Sequence, residues 1–239
     1  MNLENKMTTA ERIEKLMHHL GIDKAHFAGR SGNDWSGSAL EYPKRIASLS
    51  LVGLGGFEVP ALEILAPRLQ IICGDKGASA AGVQIAKNAV PTISHVTIPD
   101  YDMIGWDDVM ADHTDEIGQA LINFLAKHQL SEVEPLGKLD TLEGDIAEIS
   151  YQIRGSGPPL ILLPLGLAPS QWEPLIPTLA EHYCTITLGG MHLGIIPDLE
   201  IRGSPAGYQR ITQNLMGEAQ LQSGQTILDV GFGSGVTDR

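Results

Sequence analysis

The sequence predicts an α/β fold with a mostly parallel sheet and helices on both of its faces. Short apolar runs alternate with amphipathic helical stretches along most of the chain, which is the pattern of strand-helix-strand units. Several of these runs are continuously apolar, as expected of parallel strands that are buried on both faces. Glycine and proline recur between the runs, where the chain must turn.

The first block of elements spans residues 8–128. Thr8 or Thr9 can cap the first helix, and Gly21 ends it. Pro43 ends the second helix, because proline cannot continue one. The predicted strands are residues 26–28, 46–52, 69–73 and 93–98, and the predicted helices are residues 8–20, 36–42, 80–88 and 114–127.

A polar and acidic segment, residues 128–144, follows and is predicted to be a linker or exposed loop. A second block of elements begins after it. The predicted strands are residues 147–153, 160–163, 184–188 and 226–230, the predicted helices are residues 172–182 and 208–219, and residues 189–206 are predicted to be irregular. We divide the chain into residues 1–128, a linker at 129–146, residues 147–206 and residues 207–239.

The composition is that of a globular protein that can bury a core, with 43% hydrophobic and 19% charged residues. A net charge of −13 argues against nucleic acid or an anionic membrane surface as a partner. Cys73 and Cys184 lie in apolar runs, which predicts buried thiols. No apolar stretch is long enough to span a bilayer, and the N-terminus lacks the apolar core of a signal peptide, so we expect a cytoplasmic protein. We expect its partner to be a small-molecule substrate or none.

A serine stands between the first strand and the second helix. Ser31 is the central residue of the run Gly29-Arg30-Ser31-Gly32-Asn33. This run resembles the Gly-x-Ser-x-Gly nucleophile elbow of the α/β-hydrolase family, with Asn33 in place of the second glycine. The motifs that follow resemble the C-terminal half of that family over residues 8–128. The resemblance implies that Ser31 attacks an acyl carbon.

A serine nucleophile needs a histidine base and an acid that orients the histidine. The run LQIICGD resembles the family's acid-bearing strand, which makes Asp75 the candidate acid, although Gly77 occupies the position of the family's acid. Met103 occupies the position of the family's histidine. Neither His95 nor His113 matches that position, so the general base is unidentified.

The second block resembles the N-terminal half of the same family over residues 147–188. In that family the turn after the third strand supplies a backbone N–H to the oxyanion hole. That turn is Pro164-Leu165 here, and proline has no N–H.

Because residues 8–128 resemble the family's C-terminal half and residues 147–188 its N-terminal half, the two halves stand in reversed order along the chain. This order fits either a fragment of a larger protein or a circular permutant. We predict that the second block pairs beside the first in one continuous sheet.

The C-terminal run TILDVGFGSG closely resembles the first motif of class I S-adenosylmethionine-dependent methyltransferases. The residues that match its cofactor-binding positions are Asp229, Gly231, Gly233 and Gly235. The sequence ends at Arg239, before the second strand that such a site needs. We therefore expect S-adenosylmethionine to bind only if the methyltransferase part were complete. For the hydrolase part, we expect neither a cofactor nor a metal.

Three functions follow from these resemblances. The first is a serine esterase-type hydrolase with a degenerate triad. The second is a fragment of an S-adenosylmethionine-dependent methyltransferase fused to hydrolase-like domains. The third is a non-catalytic interaction module. The third function is favoured by departures at four functional positions, which are Asn33, Gly77, Met103 and Pro164.

Overall fold

The computed structural model describes residues 7–30, 33–103, 108–128, 142–166, 168–220 and 223–224. The chain divides into two compact units, Met1–Gly194 and Ile195–Arg239. Within the described residues, the structure contains eight strands and nine α-helices. All eight strands belong to the first unit and form one sheet.

The strands of the first unit are β1 (Ala25–Gly29), β2 (Ile46–Val52), β3 (Leu69–Lys76), β4 (Ser94–Asp102), β5 (Glu143–Ile146), β6 (Ile149–Arg154), β7 (Pro159–Leu162) and β8 (Cys184–Gly189). Its helices are α1 (Thr9–His19), α2 (Asn33–Glu41), α3 (Val59–Leu65), α4 (Gly77–Ala89), α5 (Val109–Asp112), α6 (Thr114–Lys127) and α7 (Ile176–Ala180). Three short 3₁₀ helices lie at Pro43–Arg45, Ala66–Arg68 and Pro169–Trp172.

The sheet runs in the order β4-β3-β2-β1-β7-β8-β6-β5. Its strands are parallel except at β6, which pairs antiparallel with both β8 and β5. At the centre, β1 of the first block pairs in parallel with β7 of the second, so that His26 lies beside Leu160 and Ala28 beside Leu162. This pairing confirms the prediction of an α/β fold with one continuous, mostly parallel sheet.

The helices cover both faces of the sheet because the chain winds in two directions. From β1 to β4 it steps outward toward one edge, and from β7 to β8 it steps toward the other. Right-handed crossovers in opposite directions place their helices on opposite faces. Helices α1 to α4 contact one another in series, whereas α6 contacts α7 and the strands β2 and β3.

Local sequence accounts for the start of α1 and for the hairpin between β5 and β6. Thr8 and Glu11 form a capping box, in which each side chain accepts a hydrogen bond from the backbone N–H of the other residue. The two hairpin residues, Ala147 and Glu148, have φ values of 52° and 63°. Two consecutive residues of positive φ are typical of the tight turn that matches strand twist.

A buried arginine ties these two features together. The guanidinium of Arg12, on α1, donates to the carbonyl oxygen of Ala147 at 2.7 Å and forms an ion pair with Glu148. Nε2 of His192, in the segment after β8, lies 3.2 Å from the same carboxylate. The first helix is therefore bound to the second block by charged and polar contacts as well as through the sheet.

Element boundaries were predicted closely where apolar runs or caps are strong. The observed β2 and α6 match the predicted residues 46–52 and 114–127. The loop predicted over residues 128–144 is wrong at its end, where Glu143 and Gly144 begin β5. The strand predicted at 147–153 begins only at Ile149, because Ala147 and Glu148 form the hairpin turn. The helix predicted at 172–182 is shorter, because a 3₁₀ turn precedes α7. The strand predicted at residues 226–230 lies outside the described residues.

The second unit contains α8 (Ile196–Gly203) and α9 (Ala206–Glu218). The prediction of irregular structure over residues 189–206 is therefore wrong at α8, whereas α9 confirms the helix expected at 208–219. Across the described ranges, none of the helices combines the length and the apolar character that crossing a membrane requires. Cys73 and Cys184 are both buried free thiols, as predicted.

Candidate functional site

The two directions of winding meet between β1 and β7. The chain leaves β1 toward β2 and leaves β7 toward β8, so a topological switch point lies between these neighbouring strands. In open α/β sheets, ligands bind in the crevice outside the carboxyl ends of the strands at such a point. We refer to the carboxyl ends of β1 and β7, together with the adjoining ends of β2 and β3, as the switch-point crevice.

The strands approach each other closely at this crevice. A Cβ atom built on Gly29, the last residue of β1, would lie 2.8 Å from the Cβ atom of Leu163. Real Cβ atoms do not come so close, so a glycine is required here. The amide of Leu163 donates to the carbonyl oxygen of Ala28 at 2.8 Å and extends the pairing beyond the regular strand. The first glycine of the predicted elbow therefore has a packing role.

The predicted nucleophile follows the crevice directly in sequence but is not part of the described structure. Ser31 and Gly32 lie outside the described residues. Residue 33, where the elbow departs from its pattern, begins α2. The strand and the helix predicted on either side of Ser31 are thus both present, as β1 and α2.

The structure places the two predicted acid positions at the carboxyl end of β3. Asp75 is exposed within the last residues of that strand. Gly77 begins α4 with φ +69°, and a Cβ atom there would lie 1.9 Å from Oδ1 of Asp102. The carboxylate of Asp102, from β4, thus occupies the space into which a side chain at position 77 would project. Sequence reasoning missed Asp102 because it used that run only to search for a histidine.

The position of the expected base is filled by a buried thioether. Met103 is 2% exposed, and its carbonyl oxygen accepts a hydrogen bond of 2.8 Å from the hydroxyl of Ser79. Its sulfur would lie 2.7 Å from a Cβ atom on Gly53, the φ +82° residue that follows β2. A thioether is at most a weak hydrogen-bond acceptor and cannot serve as a general base at neutral pH.

The two histidines that the sequence analysis compared with the family's base, His95 and His113, have other partners. Nδ1 of His113 lies 3.5 Å from Glu116, and its ring packs edge-on against Tyr101 at 4.4 Å. His95 lies on the edge strand β4, where burial and then the charge of Lys87 lower its pKa. The partners of these two rings belong to α6, β4 and α4, and none of them is a residue of β1 or β7.

His26 is completely buried on β1, and its Nδ1 is hydrogen bonded to the hydroxyl of Ser48 at 2.7 Å. Burial, followed by the charges of His128 and Lys24, lowers the pKa of His26 to about 4. Its ring meets that of Tyr183 edge-on, at the amino end of β8. The imidazole therefore lies at the opposite end of the strands from the crevice and is neutral at physiological pH.

Arg30, which directly follows β1, contacts the turn that follows β7. Pro164 and Leu165 form this turn, and Nη1 of Arg30 donates to the carbonyl oxygen of Leu165 at 3.4 Å. Nε of Arg30 would lie 3.4 Å from a Cβ atom on Gly53. The half-buried guanidinium thus extends from the end of β1 to the ends of β2 and β7. Sequence reasoning treated Arg30 only as the variable residue of the elbow.

A separate open groove of about 670 Å³ lies over the antiparallel edge of the sheet. Its floor is formed by β5, β6 and β8, and one side by the 3₁₀ helix at Pro169–Trp172. Arg154 and Glu173 pair across it at 2.6 Å. This groove lies outside the switch-point crevice and contains none of the predicted catalytic residues.

Asp229, Gly231, Gly233 and Gly235 lie outside the described residues. Within the parts of the chain that the structure describes, no three histidine, cysteine, aspartate or glutamate side chains form a metal-binding group. A comparison with known protein families finds no family model that matches the chain.

Proposed function

We propose that this chain is a circularly permuted α/β-hydrolase-fold domain that binds a small molecule in the switch-point crevice and has little or no ester-hydrolysing activity. The strand order supports the permutation. Read from β5 to β8 and then from β1 to β4, the sheet has the order 1-2-4-3-5-6-7-8, with only the second strand antiparallel. This order is consistent with the α/β-hydrolase resemblance of the two blocks.

A functional requirement of the family also supports this interpretation. The turn after the third strand contributes to the oxyanion hole, so that strand must lie beside the strand that carries the nucleophile. Counted in the permuted order, β7 is the third strand and β1 is the fifth. These two strands pair in parallel, and their carboxyl ends meet at Gly29 and Leu163.

The observation that carries the weak-activity part of the proposal is the burial of Met103. Its side chain fills the base position, and its main chain is held by Ser79. A serine without a base to accept its proton is a weak nucleophile. The turn at Pro164 also lacks the N–H that would stabilise an oxyanion. A small molecule can still bind, because binding depends on the crevice and not on proton transfer from the serine to a base.

The test is a comparison of the wild type with Ser31→Ala. We expect both proteins to hydrolyse p-nitrophenyl butyrate at the same background rate, and a fluorophosphonate probe to leave Ser31 unlabelled. Circular dichroism of both proteins controls for folding. Hydrolysis that Ser31→Ala abolishes, or fluorophosphonate labelling at Ser31, would show that a working nucleophile exists and would overturn this part of the proposal.

A further inference from the structure

The strand β5 has one side with no neighbouring strand among those that the structure describes. It ends the sheet order and pairs with β6. In an antiparallel pair, the main-chain groups of every second residue bond to the partner strand. The amide of Ile153 donates to the carbonyl oxygen of Leu142, so Gly144 is the next residue of β5 that bonds to β6. The N–H and carbonyl groups of Glu143 and Asp145 therefore point to the unpaired side, which we call the β5 edge.

The side chains of the same two residues lie over the open groove at the antiparallel end of the sheet. Because Glu143 and Asp145 are two positions apart, their carboxylates lie on one face of β5, and both line the groove. Both residues are exposed, and their cross-strand neighbours, Gln152 and Ser150, carry no charge. Within the described part of the chain, neither carboxylate has a cationic partner. The β5 edge thus combines unpaired main-chain groups with two uncompensated negative charges.

The charges around the groove favour a cationic partner. Three carboxylates and one guanidinium line it, which leaves two negative charges. The guanidinium is that of Arg154, and it pairs with Glu173 at 2.6 Å, so the two uncompensated charges are those of β5. The whole chain has a net charge of −13, and its long-range field attracts the same kind of partner.

A second copy of this chain fits the β5 edge poorly. If two β5 strands paired antiparallel about Gly144, Glu143 of each copy would face Asp145 of the other. Like charges directly opposite each other destabilise a strand pair, and charged side chains on edge strands prevent self-association. A strand with basic side chains at these positions would replace the repulsion by attraction.

We propose that the β5 edge and its groove bind an extended basic peptide, which adds a strand to the sheet beside β5. The main-chain groups of Glu143 and Asp145 would bond to the peptide backbone. Their carboxylates would pair with lysine or arginine side chains at alternate peptide positions, which lie over the groove of about 670 Å³. This binding is separate from the proposed function, because the groove lies outside the switch-point crevice.

The experiment is a ¹H–¹⁵N NMR titration of the full chain, at low ionic strength, with acetyl-Thr-Lys-Thr-Lys-Thr-amide. Threonine favours the extended conformation, and the two lysines fall on one face of the peptide. We expect the amide signals of Glu143 and Asp145 to shift at millimolar peptide. The acidic peptide acetyl-Thr-Glu-Thr-Glu-Thr-amide should not bind. The peptide acetyl-Lys-Lys-Thr-Thr-Thr-amide has the same charge but only one lysine on the groove face, and it should bind more weakly.

A charge-matched pair of double variants tests the carboxylates. Glu143→Gln with Asp145→Asn should weaken binding by about 2- to 30-fold, the combined value of two exposed ion pairs. Glu41→Gln with Glu63→Gln removes the same charge from exposed positions on α2 and α3, which do not line the groove, and should bind as the wild type does. Circular dichroism controls for folding.

A proline variant tests the main-chain part of the proposal. Proline is tolerated at the first residue of an edge strand, and Glu143→Pro removes an N–H that does not bond to β6. It should bind the alternating peptide more weakly than Glu143→Gln, which removes the carboxylate alone. Equal binding by these two variants would contradict strand addition.

The proposal is overturned if the alternating lysine peptide does not bind at millimolar concentration, or if the acidic peptide binds equally well. It is also overturned if the double variant Glu143→Gln with Asp145→Asn binds as the wild type does. Equal affinity for the two lysine peptides would indicate charge attraction without strand pairing. Concentration-dependent shifts of the same amides without peptide would identify a second copy as the occupant. None of these results bears on ester hydrolysis or on the crevice.

Discussion

The backbone amide of Leu163 donates a hydrogen bond to the carbonyl oxygen of Ala28 at 2.8 Å. The two residues lie far apart along the chain, in different sequence blocks, and their strands pair at the centre of the sheet. Each block alone would expose an unpaired strand edge at this point, which is unfavourable in water. The two blocks therefore stabilise each other.

Shortening a buried side chain at the β1–β7 junction should destabilise both blocks together. Leu162, on β7, is completely buried, and Leu162→Ala should lower the free energy of unfolding by about 2–5 kcal/mol. Urea unfolding followed by ¹⁹F NMR of fluorotryptophan reports Trp35 in the first block and Trp172 in the second. Both signals should change at the same urea concentration.

The matched control is Leu142→Ala. Leu142 is 63% exposed, and its truncation should change stability by less than about 0.5 kcal/mol. Separate unfolding midpoints for Trp35 and Trp172 in the wild type would argue against one cooperative sheet.

The Arg12 contact should contribute to stability across the blocks. Arg12→Met leaves the carbonyl oxygen of Ala147 without its guanidinium donor, which should cost about 1–3 kcal/mol. Lys15→Met, at an exposed position of the same helix, is the control and should have little effect. Thermal unfolding of the three proteins measures the difference. Equal midpoints for both variants would show that the contact adds nothing.

The close approach at the crevice requires Gly29. In Gly29→Ala the added Cβ atom would lie 2.8 Å from that of Leu163, and relieving this overlap should cost about 1–3 kcal/mol. Gly56 has no atom within 4 Å of its Cβ position, so Gly56→Ala is a control of identical chemistry. Urea denaturation should separate the two variants. If Gly29→Ala is as stable as Gly56→Ala, the strands are not in contact as described.

The buried imidazole of His26 should make the protein acid-sensitive. Its pKa is about 4 in the folded protein, below its ordinary value of 6.5, so the unfolded chain binds the proton more readily. Stability should therefore be full above pH 6.5 and should fall by about 3 kcal/mol as the pH decreases to about 4. His26→Asn should flatten this part of the curve in urea titrations. An unchanged slope would assign the acid sensitivity to other groups.

The fold could be predicted from sequence where local signals and burial agree. Pro43 and the apolar run after it place the start of β2 correctly, and the apolar face of α6 fixes both of its ends. The edge strand β5 was not predicted, because Glu143 to Ile146 has little intrinsic preference for a strand. Pairing with β6, which depends on the whole sheet, determines its conformation.

The candidate site was less accessible to sequence reasoning. The departures at Gly77 and Met103 could be read from the motif, but the entry of Asp102 into the space beside Gly77 depends on the register of β3 and β4. Arg30 is a variable residue in its motif. Its hydrogen bond to the carbonyl oxygen of Leu165 depends on the turn after β7, which the motif around Ser31 does not contain.

Hydrogen exchange at the amide of Leu163 measures directly whether the two blocks form one sheet. We expect this amide to open only with global unfolding, so that its exchange free energy equals the unfolding free energy from urea and the value for Leu51 in β2. Exchange of the Leu163 amide at nearly the rate of an unfolded chain, while Leu51 stays protected, would show that β7 does not pair with β1.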